Sequence, residues 1–253
     1  MRRRSIVTAF AGLTAVGTLA WWQRNALATW ALTRRTNEGV DLTSIPADTP
    51  TCVLTPEQVE GPFFIRAPMR GNIREDRDGM ALSLNLRIVR DAGCQPVQGA
   101  VAEIWHCDAA GRYSGFPEEL SRDPMGTLRF VGSGGRAEPV NDKRYLRGAQ
   151  ISNADGAVSF QTIFPGWYAP RVPHIHLKLF VGDRVYTTTQ FYFPDQMANE
   201  IYTTHPVYKP HGPSPYNQAN DMVLGEHPHA SGLLLRPELQ TDGMTADAVV
   251  RIS

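Results

Sequence analysis

Cysteine is scarce, with three in 253 residues, so disulfides cannot stand in for a hydrophobic core. A surplus of charge of either sign is missing as well. Lysine plus arginine total 25 and aspartate plus glutamate total 25, which by itself leaves no basic excess for a nucleic acid. No internal repeat is evident, and no segment after residue 35 carries a long, capped 3.6-residue apolar period, which argues against a helical bundle. Gly132-Ser133-Gly134-Gly135 lacks the Lys-Ser/Thr that follows in a phosphate loop, and it reads as a surface turn. What is present is an ordinary apolar fraction, 42%, on a chain long enough for one large domain or two small ones.

The neutrality is uneven. Residues 1–35 hold Arg2, Arg3, Arg4, Arg24, Arg34 and Arg35 and no acidic residue. Setting those six aside leaves 19 basic against 25 acidic residues, a body of about −6. No nucleic-acid partner is expected for it. Ser5 to Trp22 follows the arginines without a formal charge, the layout of an export signal. Arg3-Arg4-Ser5-Ile6-Val7 resembles a twin-arginine signal, which implies a periplasmic or extracellular destination. Ala26-Leu27-Ala28 offers a small-residue cleavage site. If the segment is retained, residues 5–22 form a membrane tether, so cleavage and anchoring both stand open. Cys52 and Cys94, each at the edge of an expected element, are candidates for a disulfide, and Cys107 reads as a buried free thiol.

Beyond a polar linker at 36–50, residues 51–253 read as short strands between turns. Ala81 to Arg90 alternates cleanly, with Leu82, Leu84, Leu86 and Ile88 on one face. Further strands are expected at Val101 to Cys107, Tyr145 to Ile151, Ala157 to Ile163, His174 to Val181, Val185 to Phe193 and Ala246 to Ile252. This is the pattern of an all-β sandwich of two sheets. Gly115 to Asn141 and Pro194 to His229 read as long loops.

The densest chemistry lies in Pro165 to His176, PGWYAPRVPHIH. Residues i and i+2 of a strand share a face, so His174 and His176 can offer two imidazoles to one metal while Ile175 turns away. Two partly buried histidines bonded to neighbours would look the same. A Pro/Gly turn brings Tyr168 and Arg171 close to the pair. No carboxylate lies within the motif, so the two-His, one-carboxylate Fe(II) site is not indicated. A phenolate is the natural anionic ligand, and a highly charged cation can hold it ionised at neutral pH.

With these residues assembled, the chain resembles the intradiol ring-cleavage dioxygenases, whose members include protocatechuate 3,4- and catechol 1,2-dioxygenases. The resemblance rests on Thr55 to Phe64 (TPEQVEGPFF), Val101 to Tyr113 (VAEIWHCDAAGRY), Arg147 to His176 and Thr188 to Phe191 (TTQF). It implies one Fe(III) per chain held by Tyr113, Tyr168, His174 and His176, with Tyr168 leaving as the substrate chelates. It also implies that O2 and a small catechol are the substrates and a cis,cis-muconate-type diacid the product. Arg171 matches the family arginine that stabilises negative charge on the ring, Gln190 a polar residue beside it, and Val59 and Pro62 walls of the catechol pocket. Trp167 is expected to line the pocket or shield the iron. Only five residues separate Tyr168 from His174, which implies a more open site than in cytoplasmic members, and the leader places the chain in an exported branch. The competing readings are a non-catalytic extracellular β-sandwich binding module and a different His-metal enzyme, which would need a carboxylate or a third histidine. The particular catechol and the oligomeric state are not legible.

Overall fold

Strand alternation sorts the apolar residues of this chain into one shared interior between two sheets. The computed structural model describes residues 54–90, 93–117, 135–221, 223–224 and 233–253, which belong to one compact unit spanning 41–253. The expected export segment at 1–35, the linker at 36–50, Cys52, His227 and His229 lie outside the described residues. Among the described residues no helix is long and apolar enough to cross a membrane.

The elements run β1 (Ala81–Arg90), β2 (Gln95–Pro96), β3 (Val101–Trp105), β4 (Arg147–Ile151), β5 (Ala157–Ile163), β6 (His174–Val181), β7 (Arg184–Tyr192), α1 (Asp195–Thr204), β8 (Glu238–Gln240) and β9 (Gly243–Ile252). One sheet has the order β2-β1-β9-β8, with β5 also paired to β1; the other has the order β4-β3-β6-β7. The β1–β9 pair is parallel. The two inner faces meet in a single core. Leu82, Leu84, Leu86 and Ile88 from β1, Val158 and Phe160 from β5 and Ala246, Val250 and Ile252 from β9 pack with Ala102 and Ile104 from β3, Ile175, Leu177 and Leu179 from β6 and Phe191 from β7. The all-β sandwich expected from the alternation is the observed architecture.

Four of the expected strands begin or end up to three residues from their expected bounds, and two larger details differ from the sequence reading. β2 and β8 are strands of two and three residues, too short to show a period. The stretch from Pro194 to His229 is not wholly loop, since it opens with the ten-residue helix α1. Ala198, Ile201 and Tyr202 are its buried residues, the i, i+3, i+4 spacing of a helix face. Only Asp195 in the first turn announces it: Pro194 makes no side-chain cap bond and the last turn lacks a basic residue.

Leu84 is fully buried, and its truncation removes transfer free energy and leaves a cavity. Leu84→Ala is expected to lower unfolding stability by about 2–5 kcal/mol, read as a lower urea midpoint at unchanged m-value.

Candidate metal centre

The same alternation that fills the core also builds the site. On β6, Ile175, Leu177 and Leu179 join the core, so His174 and His176 project from the sheet's other face. Register adds their neighbours. Trp105 on β3 lies opposite His176 and beside Arg147 of β4, while Gln190 and Tyr192 of β7 lie opposite His176 and His174. Arg147, Trp105, His176 and Gln190 therefore form one row across four strands.

Tyr113 and Tyr168 close over this row. The Tyr113 hydroxyl stands 3.3 Å from His174 Nε2, the Tyr168 hydroxyl 3.5 Å from the same atom, and the two Nε2 atoms are 3.1 Å apart. Tyr168 sits on a tight turn that Arg171 closes by donating its backbone N–H to the Tyr168 carbonyl, at 2.5 Å. The loop carrying Tyr113 meets this turn at Gly111, where φ is +79° and a Cβ would fall 2.3 Å from the Trp167 carbonyl oxygen. Only glycine fits so close an approach. Phe63 stacks on Tyr113 with ring centroids 4.4 Å apart and 17° between planes, and Trp105 stacks on His176 at 4.7 Å and 5°. Gly61 approaches the same imidazole, since its Cβ would stand 3.3 Å from His176 Cε1. The short link from Tyr168 to His174 does not leave these side chains open: all four candidate ligands are at most 6% exposed.

The donor set fits a metal ion. His174 Nδ1 donates to the Val172 carbonyl at 2.7 Å, which leaves its Nε2 lone pair facing the cluster. His176 Nδ1 has no hydrogen-bond partner among the described residues. One of two things then follows for the neutral pair: opposed Nε2 lone pairs, or a buried nitrogen left unsatisfied, and a cation between the rings removes both penalties. Burial lowers the pKa of both histidines, so they stay neutral and able to ligate. Burial also raises Tyr168 to about 12 and Tyr113 well above its ordinary value. Nearby positive charge is therefore needed for either to become a phenolate. Atoms sharing one ion at about 2 Å stand roughly 3 Å apart, and the other three donors lie 3.1–3.5 Å from His174 Nε2. Among the described residues no group of three or more His, Cys, Asp or Glu could hold a metal, so the tyrosines are needed to complete a set.

Beside the ligands lies a polar cluster. Arg171 Nη2 donates to Gln190 Oε1 at 2.6 Å and to the Tyr192 hydroxyl at 3.4 Å, and Gln190 Nε2 donates to the Val59 carbonyl at 2.8 Å. Tyr192 donates to Gln58 Oε1 at 3.1 Å. Arg171 Nε meets Asp221 at 2.9 and 3.2 Å. Burial works against the Arg171 cation, but Tyr168, Tyr192 and Asp221 raise its pKa and keep it charged. The sequence reading missed Asp221, Tyr192 and Gln58; Tyr192, two residues after Gln190 on one strand face, carried a usable signal. Val59 is 42% exposed and its backbone, not its side chain, makes the polar contact. Pro62 is half-buried beside Phe63. The Trp167 indole packs on His211 and Tyr216 and donates to the Gly212 carbonyl at 2.9 Å. Cys94 is disulfide-bonded, and Cys107 is free and buried.

A dioxygenase family profile matches residues 59–209, which contain both tyrosines, both histidines, Arg171 and Gln190. The chain belongs to the intradiol ring-cleavage dioxygenase family. Catechol 1,2-dioxygenase of Pseudomonas sp. strain EST1001 is 29% identical over 161 residues, 59% of this chain and 49% of that one. The protocatechuate 3,4-dioxygenase beta chain of Burkholderia cepacia is 33% identical over 116 residues, 42% of each chain. This chain thus spans about a third to a little over half the length of the curated relatives it matches. The solved intradiol ring-cleavage dioxygenase from Tetranychus urticae superposes with a TM-score of 0.68 at 30% identity, covering 80% of this chain and 95% of that one.

A buried histidine outside the ligand set gives this family member a pH signature. His106 Nδ1 donates to the Cys107 carbonyl at 2.8 Å, and Nε2 of the neutral ring accepts from Thr162 Oγ1 at 2.6 Å. Burial lowers its pKa to about 4. The folded state therefore holds it neutral while the unfolded chain protonates it near 6.5. Its stabilisation is complete above that value and lost as pH falls toward 4, at up to about 1.4 kcal/mol per pH unit. Urea titrations from pH 7 to 4 are expected to show a shallower loss for His106→Gln than for the wild type.

Proposed function

We propose that this protein is a non-haem Fe(III) intradiol dioxygenase that cleaves a catechol-type ring with O2, between the two hydroxyl-bearing carbons, to a cis,cis-muconate-type diacid. The observation that carries this reading is the convergence of the Tyr113 and Tyr168 hydroxyls and the His174 and His176 Nε2 atoms within 3.1–3.5 Å contacts, beside a buried Arg171–Gln190 pair. Tyr113, Tyr168, His174 and His176 would hold the ion. When bound, Fe(III) supplies Lewis acidity that favours the doubly deprotonated catechol and its reaction with O2.

The chain's own groups supply the rest. Tyr168 Oη, once ionised, would be the base that takes a catechol proton. Tyr113, stacked on Phe63, would keep its hold on the ion. Trp105 and Phe63 hold the His176 and Tyr113 rings against rotation and keep water from their apolar faces. Arg171 offers a permanent cation to negative charge developing on the ring, and Gln190 holds that guanidinium at Nη2. Val59 and Pro62, on the segment that brings Gly61 to His176, are the pocket wall in this reading. A non-catalytic binding module has no need of a buried cation beside a set of metal-type donors.

The same proposal extends to location. The leading arginines and the uncharged run from Ser5 to Trp22 support export, and the disulfide at Cys94 suits an oxidising compartment. Cys52 is the partner we assign to it.

Purified iron-loaded protein is expected to be wine-red to purple from tyrosinate-to-Fe(III) charge transfer and to consume O2 with a catechol. A colourless iron-loaded protein that takes up no O2 across catechol, protocatechuate and hydroxyquinol overturns the reading. Tyr168→Phe is expected to shift the band and weaken anaerobic catecholate binding with iron largely retained, whereas Tyr113→Phe loses iron; equal iron content and spectra in the two variants contradict the assignment.

A further inference from the structure

The carboxylate of Asp221 is fully buried and comes from a loop fifty residues beyond Arg171. Its two oxygens divide their work. Oδ1 accepts the backbone N–H groups of Val223 and Leu224 at 2.9 and 2.8 Å, which ties the loop to the carboxylate. Oδ2 accepts Arg171 Nε at 2.9 Å and the Val172 N–H at 2.9 Å, which ties the carboxylate to the segment between the candidate ligands Tyr168 and His174. With Nε on Asp221 and Nη2 on Gln190 and Tyr192, Nη1 has no hydrogen-bond partner among the described residues. A planar guanidinium held at two of its nitrogens has one orientation for the third. We propose that Asp221 is the positioning residue for Arg171: it fixes the guanidinium at Nε and leaves Nη1 as the free donor. The proposal rests on the dioxygenase reading for what Nη1 serves, and on the hydrogen bonds alone for the positioning.

The chemistry distinguishes Asp221 from a carboxylate that merely anchors a loop. In Asp221→Asn the amide oxygen still accepts from Val223 and Leu224, but the amide N–H groups face two other donors, Arg171 Nε and Val172 N. Loop anchoring survives and the arginine contact inverts. Asp195 supplies the control: it accepts the Gln218 N–H at 3.2 Å on both oxygens and so holds the same loop without touching Arg171.

The kinetic test uses iron-loaded protein and catechol; the Arg171 Nε–H is followed by 15N NMR in protein loaded with diamagnetic Ga(III) and assigned through Arg171→Lys. We expect Asp221→Asn to lower kcat roughly 10–100-fold, as loss of an orienting partner typically does. KM should change less than about threefold, because charge that develops on the way to the transition state is what Nη1 meets. Iron content and resting colour should be retained, and the slowly exchanging Nε–H of the wild type and of Asp195→Asn should be lost. Wild-type kcat in Asp221→Asn, or equal losses in Asp221→Asn and Asp195→Asn, overturns the proposal. So does a rapidly exchanging Arg171 Nε–H in the wild type, a measurement that stands even if Asp221→Asn fails to fold. A wild type that cleaves no catechol overturns the functional reading instead, and the Nε–H comparison then decides the positioning by itself.

Discussion

The two-residue repeat of β6 is the constraint on which this structure depends. Ile175, Leu177 and Leu179 fill the space between the sheets, and His174 and His176 take the opposite face because no other is left to them. The two sets are locked together, since a slip of one residue would carry imidazoles into the core and aliphatic chains out of it. Pairing with β3 and β7 then fixes Trp105, Gln190 and Tyr192 at the same level. The site thus borrows its rigidity from packing on the far side of the strand. That is how a constellation tolerant of little displacement can rest on an ordinary antiparallel sheet.

Burial shapes what the constellation can do. A dry pocket penalises every charge, so the histidines stay neutral and the tyrosines stay protonated until a cation enters. One environment therefore keeps lone pairs available at nitrogen and makes ionisation of the two oxygens conditional on the ion. The aromatic walls contribute to this dryness: Phe63 on Tyr113 and Trp105 on His176 cover ring faces that water would otherwise reach.

Much of this was legible in the sequence, for a physical reason. β1, β5 and β6 show their full extent because period-two alternation is a local property. Tyr168, Arg171, His174 and His176 fall within nine residues, so one turn and one strand suffice to gather them. Helix α1 was not legible, because Pro194 supplies no cap and its apolar face is short. Nor was Asp221 legible, since its link to Arg171 spans fifty residues and depends on where a loop returns. Trp105 sits in a recognisable motif, but its stacking on His176 depends on the β3–β6 register, which no single strand records.

Asp221 also bears on why Arg171 can sit at the site at all. A guanidinium removed from water without a partner is costly by several kcal/mol, and the metal centre proposed beside it would add repulsion. One buried carboxylate at Nε and the neutral acceptors Gln190 and Tyr192 at Nη2 satisfy it. An arginine neutralised on the cluster side would be as stable and would have no field to offer an incoming anionic ring. The loop that carries Asp221 is therefore part of the site's electrostatics, although it contributes none of the four candidate ligands.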